Sequence, residues 1–169
     1  MNTSGQPDLF LDVIQANKGI IYKVANAYCF HAEDRKDLVQ EIIIQLWKSF
    51  HNYTDAYKYS TWMYRIALNT AISFYRKESR RQHVSNPLHA EILHLEDTSG
   101  IDETTQNIKF LQQFIGELKE LDKAVMLLYM EEKSLKEIAA ITGISATNTA
   151  TKIARIKKIL KQKFDNIKN

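Results

Sequence analysis

Trp62, Arg65, Asn69, Ser73, Arg76 and Arg80 recur at steps of three or four residues. That spacing lays them along one stripe of a single helix. An aromatic ring, an amide, a hydroxyl and closing guanidiniums suit a nucleic acid, with unstacked bases meeting the ring and phosphates the arginines. An amphipathic helix with an arginine-rich tip shows part of this pattern with no ligand at all. Just upstream, Tyr53, Tyr57 and Tyr59 alternate with Asn52, Thr54, Asp55, Lys58 and Ser60. Such aromatics either fill a core or stack on bases, because every base has a π face. A second set, Ser145, Thr147, Asn148, Thr151, Lys152, Arg155 and Lys158, offers hydroxyls, an amide and cations, the donors that read base edges and phosphates.

The elements that must carry these groups are helices. The apolar residues follow the helical period, and no segment alternates apolar and polar residues, so no sheet is expected. Two prolines and five glycines in 169 residues favour long helices. Around the second set, Ile138, Ile141 and Ile144 repeat every third position, and Ala139 is small enough for a second helix to cross closely. Gly143 can take the positive φ of a turn, and Ser145 is a good N-cap. The following helix keeps Ile153, Ile156, Leu160 and Phe164 on one side. A short helix, a glycine turn and a basic helix with a polar tip make a helix-turn-helix. A plain helical hairpin would not need the exposed cations and amide.

Residues 34–50 form a further helix with two faces. Leu38, Val39, Ile42, Ile43, Leu46 and Phe50 share the face to be buried, opposite Asp37, Gln40, Glu41, Gln45 and Lys48. Ile44 falls within the polar face and Trp47 at its edge. They fit either a partner surface or scattered apolar exposure that needs no explanation.

Apolar residues at 44% and charged residues at 25% exclude collagen-like, disordered and disulfide-scaffold classes. Cys29 is the lone cysteine, and His31, His51, His83, His89 and His94 have no metal-ligand spacing. No phosphate-cradling glycine loop or nucleophile motif occurs, so no enzymatic chemistry, metal or cofactor is expected. No apolar run approaches a membrane span, and the N-terminal residues lack a secretory signal. A reducing, cytoplasmic setting is expected.

The net charge of +3 decides little, but its distribution is uneven. Residues 62–81 and 146–169 are basic, whereas residues 84–105 hold Glu91, Glu96, Asp97, Asp102 and Glu103 with no lysine or arginine. Clustered positive charge attracts phosphate and releases counterions; a solvated helix face explains one such run alone equally well. Helical periodicity falls in two blocks, 9–81 with three or four helices and 108–164 with four. The stretch 82–105 reads as a linker, with a short helix at 89–95.

Together the blocks resemble a bacterial RNA polymerase sigma factor of the extracytoplasmic-function group, which keeps only the second and fourth conserved regions. The resemblance covers roughly residues 10–163. Three motifs carry it: Asp37-Leu38-Val39-Gln40-Glu41 with Gln45-Leu46-Trp47, the run from Tyr59 through Thr61-Trp62-Met63 to Asn69, and Ser134-Leu135-Lys136-Glu137-Ile138-Ala139 with Thr142-Gly143-Ile144-Ser145. It implies an all-α fold of two small helical domains joined by a flexible acidic linker. Region 2 is expected over 8–82, the linker over 83–106 and the region 4 helix-turn-helix over 107–166.

The resemblance also implies roles. Asp37, Gln40, Glu41, Ile44 and Trp47 would meet the clamp helices of the polymerase's largest subunit. Tyr53, Tyr57, Tyr59, Trp62, Arg65, Asn69, Arg76, Lys77 and Arg80 would recognise and melt the minus-ten element. Ser145, Thr147, Asn148, Thr151, Lys152, Arg155 and Lys158 would read the minus-thirty-five element. The second block would also rest on the flap of the second-largest subunit, and an anti-sigma protein is an implied partner. The chain departs from the family pattern where Leu68 precedes Asn69, where Ser73 replaces an aspartate, and at Thr149-Ala150, where valine and a basic residue are usual. These departures bear on promoter preference. An operator-binding helix-turn-helix regulator that works without polymerase is the competing reading.

Overall fold

A computed structural model describes residues 5–85, 100 and 102–169, with side chains described to residue 81 in the first stretch. Three helices form the first block: α1 (Gln6–Tyr28), α2 (Ala32–Ser49) and α3 (Tyr59–Ser85), with a 3-10 turn at Phe50–Asn52. Four form the second: α4 (Glu103–Gly116), α5 (Glu120–Met130), α6 (Leu135–Thr142) and α7 (Ala146–Lys168). No strand occurs among the described residues. The helix expected at 89–95, with Glu91, Glu96 and Asp97, lies outside them.

The first module is held by aliphatic packing. Leu38, Ile42 and Leu46 recur every fourth residue on α2 and are fully buried, facing Met63, Ala67 and Ala71 of α3. The small alanines let α3 lie close against α1 and α2. Phe10 and Val13 begin the α1 contribution, and Ile21 and Val24 continue it, while Ile14 is only partly covered. Between these groups α1 bends at Asn17 (φ −124°, ψ 16°), whose side-chain amide donates to the Val13 carbonyl at 2.9 Å.

The second module closes around Val125, Leu128, Ile138, Ile141, Ile153 and Ile156. Its turns follow local chemistry. Ser134 and Glu137 form a reciprocal capping box on α6: the Ser134 amide donates to Glu137 at 2.8 Å, and the Glu137 amide to Ser134 Oγ at 3.1 Å. Hydrogen bonds from the Ser134 amide and then from the Ser134 side chain hold the Glu137 carboxyl below its ordinary range. Gly143 ends α6 at φ 78°, a left-handed conformation that disfavours a Cβ. Ser145 Oγ then accepts from the Asn148 amide at 3.0 Å and starts α7.

The tether expected between the modules left their relative placement open. In the structure α5 and α6 pack against α3, and the two modules form one body.

Candidate nucleic-acid interface

α3 lies on the first core through Met63, Ala67 and Ala71, which turns its opposite side outward. Arg65, Asn69, Ser73, Arg76, Lys77 and Arg80 are all exposed along that side. Among the described residues no ion pair holds Arg65, whereas Arg76 Nε sits 3.5 Å from Glu120 of the second module. Trp62, at the head of the stripe, is half-buried and joins an aromatic cluster. Its ring centroid lies 6.0 Å from Phe50 and 5.5 Å from Tyr53.

Tyr53 stacks on Tyr59 at 4.3 Å with an interplanar angle of 19°. Its hydroxyl donates to the Tyr57 carbonyl at 2.6 Å, which closes the loop on itself. Desolvation, then Tyr59 and Asp55, raise the Tyr53 hydroxyl above its ordinary pKa. Tyr57 itself is exposed. Tyr53, Tyr59 and Trp62 thus pack on one another and are half-buried, while Tyr57 stands outside the stack.

The polar face of α2 and the stripe of α3 share an open groove of about 670 Å³. Asp37, Glu41 and Gln45 line one wall, with Gln45 donating to Glu41 at 2.8 Å. Asn69, Ser73 and Lys77 line the other. Gln40 is exposed on the same helix as Asp37. Ile44 and Trp47 are 45% and 47% exposed, too much for core residues. Trp47 is not scattered, because its ring meets Phe10 edge-on at 5.0 Å and extends the packed aromatic layer to the surface.

On α7, Thr147, Asn148, Thr151 and Lys158 are exposed, as is the N-cap Ser145. Thr151 donates back to the Thr147 carbonyl at 3.1 Å. Thr149 is fully buried and donates to the Ser145 carbonyl at 2.9 Å, so it packs inside while Ala150 faces out. Lys152 and Arg155 point toward α5. Lys152 Nζ donates to Asp122 at 2.8 Å, and Arg155 Nη2 reaches both Asp122 oxygens at 2.9 and 3.1 Å. Asp122 is 7% exposed. Sequence reasoning did not single it out, because in the first turn of an amphipathic helix an aspartate looks like ordinary N-terminal charge; its partners are 30 and 33 residues away. Lys123 was missed for the same reason and is 1% exposed. Among the described residues no cluster of His, Cys, Asp or Glu could hold a metal, and no helix is long and apolar enough to cross a membrane.

The chain was compared with known proteins. Residues 13–81 match the family model for Sigma-70 region 2, and residues 111–160 that for Sigma-70, region 4. The chain is 26% identical over 180 residues to the ECF RNA polymerase sigma factor SigW of Bacillus subtilis (strain 168), covering 96% of this chain and 92% of the relative. It is 28% identical over 160 residues to RNA polymerase sigma factor SigV of the same organism, covering 90% and 89%. Among solved structures, it is similar to CnrH in complex with the cytosolic domain of CnrY, with a TM-score of 0.68 at 18% identity, covering 96% of this chain and 92% of that one. It is also similar to the sigma factor RpoE in complex with the anti-sigma factor NepR from Bartonella quintana, at 0.67 and 18% identity, covering 92% and 94%. These two likenesses bear on the fold alone.

Proposed function

The chain belongs to the extracytoplasmic-function group of RNA polymerase sigma factors, and from that premise we propose a division of labour over its surface. As a sigma factor it joins core polymerase and directs transcription initiation at chosen promoters. It contributes recognition, with no catalytic step of its own, and works in the cytoplasm where the polymerase and DNA are.

In this reading Asp37, Gln40 and Glu41, with the exposed Ile44 and Trp47, dock on the clamp helices of the largest subunit. Apolar groups give such a surface its adhesion and the acids its register. Tyr53, Tyr57, Tyr59 and Trp62 capture unstacked bases of the minus-ten element beside Asn69. Arg65, Arg76, Lys77 and Arg80 hold the backbone nearby. Stacking contributes roughly 1–3 kcal/mol per base, and unpairing a base costs a few kcal/mol. The terms nearly cancel, so melting depends on the base captured.

α7 reads the minus-thirty-five element in the major groove. Ser145, Thr147, Asn148, Thr151 and Lys158 face outward, while Lys152 and Arg155 act from positions braced by Asp122. The region boundaries we propose are 8–82 and 107–166, around a linker of 83–106. The second module would rest on the flap of the second-largest subunit. An anti-sigma protein would be a further partner, as the structure of RpoE with NepR illustrates for a protein of like fold.

The observation that carries this reading is the exposed stripe from Arg65 to Arg80, running on from the half-buried Trp62 of the aromatic cluster and sharing a groove with the acids of α2. The operator-binding regulator is not favoured, because both sigma regions are present in order. Transcription with purified core enzyme tests the assignment. Trp62→Ala or Asn69→Ala should reduce open-complex formation about tenfold or more, a loss of roughly 1.4 kcal/mol, while core affinity stays near that of the native chain. Asp37→Ala with Gln40→Ala should weaken core affinity first. Equal losses of core affinity in both sets would refute the division.

A further inference from the structure

α7 spreads its polar groups over two stripes that differ in what holds them. Thr147, Thr151, Ala154, Lys158 and Lys161 follow one another at steps of three or four residues and are all exposed. Lys152, Arg155 and Lys163 keep the same steps, through Ile159, along the neighbouring stripe. Each cation of this second stripe ends on an acid of α5 or of the end of α4. Lys152 lies 2.8 Å and Arg155 2.9 Å from Asp122, and Lys163 pairs with Glu117. Among the described residues no ion pair holds Lys158 or Lys161, and Asp165, one turn past Lys161, pairs with neither.

The two sets are not interchangeable toward a phosphate. Lys158 and Lys161 leave only water behind when they move onto an oxyanion, and the counterions they displace from DNA favour binding. Lys152 and Arg155 share one carboxylate that is 7% exposed, which also cancels one of their two charges. Drawing both away would strand that carboxylate covered and unpaired, a cost greater than solvent-exposed phosphate contacts offset. A helix whose cations were all free would grip any duplex, whereas selectivity is the ratio of specific to non-specific affinity.

We propose that Asp122 is a positioning residue for promoter selectivity: it keeps Lys152 and Arg155 off the phosphates, leaving Lys158 and Lys161 to hold the backbone while Thr147, Asn148 and Thr151 meet base edges. That α7 docks on promoter DNA rests on the sigma-factor reading; the restraint on the two cations belongs to the chain itself.

Promoter binding by the reconstituted holoenzyme, chilled so that the strands stay paired, tests this over a series of salt concentrations. Each phosphate contact adds about 0.9 to the magnitude of the slope of log affinity against log salt. Asp122→Asn, with helix content checked by circular dichroism, should steepen that slope by about 1–2 as Lys152 and Arg155 reach phosphates. Discrimination between the promoter and a duplex with a scrambled upstream element should fall roughly three- to tenfold. Asp122→Glu restores a carboxylate and should bring both values back toward native. A merely structural Asp122 would weaken binding and flatten the slope. That outcome, an unchanged slope in folded Asp122→Asn, or a steeper slope with unchanged discrimination overturns the proposal. If Asp122→Asn lowers helix content, single lysines decide instead. Lys158→Met and Lys161→Met should each flatten the slope by about 0.9, Lys152→Met by less than half as much, and Lys163→Met not at all. Equal flattening by Lys152→Met and Lys158→Met overturns it. A native chain that neither joins core polymerase nor starts transcription sinks the sigma-factor reading, and this role of Asp122 with it; one that does both leaves that reading standing whatever the slopes show.

Discussion

On α3, Arg65, Asn69 and Ser73 stand exposed over an aliphatic floor, whereas on α7 Lys152 and Arg155 both end on one buried carboxylate, Asp122. The two helices have similar surface chemistry in sequence. The difference is where stability resides. Arg65, Asn69 and Ser73 stand over Met63, Ala67 and Ala71, so they can be exchanged without disturbing the fold, whereas Arg76 further along pairs with Glu120 of the second module. On α7 two of the cations proposed to read DNA tie α7 to α5. Arginine is thus spare at position 65 of α3 and structural at position 155 of α7.

The largest expected effect comes from removing that carboxylate. Asp122→Ala should cost about 1–3 kcal/mol in urea unfolding, less than for a fully buried pair because the Lys152 and Arg155 side chains keep 25% and 55% of their exposure. Arg65→Ala on α3 should stay within about 0.5 kcal/mol. If the two variants destabilise alike, the contrast between the helices is wrong. Gly143→Ala comes next. Its φ of 78° puts a Cβ in a disfavoured region, and a loss of about 1–2 kcal/mol should appear as a lower melting temperature of the second module.

Tyr53→Phe keeps the stack on Tyr59 and deletes the bond to the Tyr57 carbonyl. It should cost about 0.5 kcal/mol and slow open-complex formation only slightly, with core affinity unchanged. A large defect would mean that the hydroxyl itself touches DNA. The smallest effect is a pH dependence confined to α6. The Glu137 carboxyl is held below its ordinary value of 4.5, so its capping contribution is complete above that pH and fades as acid protonates the folded group. The protection factor at the first turn of α6, taken against the intrinsic exchange rate at each pH, should fall on acidification in the native chain. In Glu137→Gln that fall should disappear.

Much of the fold and part of the candidate site could be read from residue order. The period of Leu38, Ile42 and Leu46 buries one face of α2, and the Arg65-to-Arg80 stripe emerges exposed, because both depend on helical geometry over a few turns. The helix-turn-helix was equally legible, since Gly143 and Ser145 act on their immediate neighbours. Thr149 counted as a departure from a family pattern, and the structure buries it against the Ser145 carbonyl. The acidic linker residues Glu91, Glu96 and Asp97 lie outside the described chain.

Composition and periodicity were enough for the helices, their order and the sides they turn outward, because these follow from backbone geometry and nearest-neighbour capping. Only the tertiary structure decided that Asp122 braces two cations of α7 and that Lys123 sits between Tyr28 and Tyr75. The partners of Asp122 lie 30 and 33 residues away, and those of Lys123 belong to the other module. An exposed charge and a buried one are spelled with the same letter, and what separates them is the water that distant packing removes.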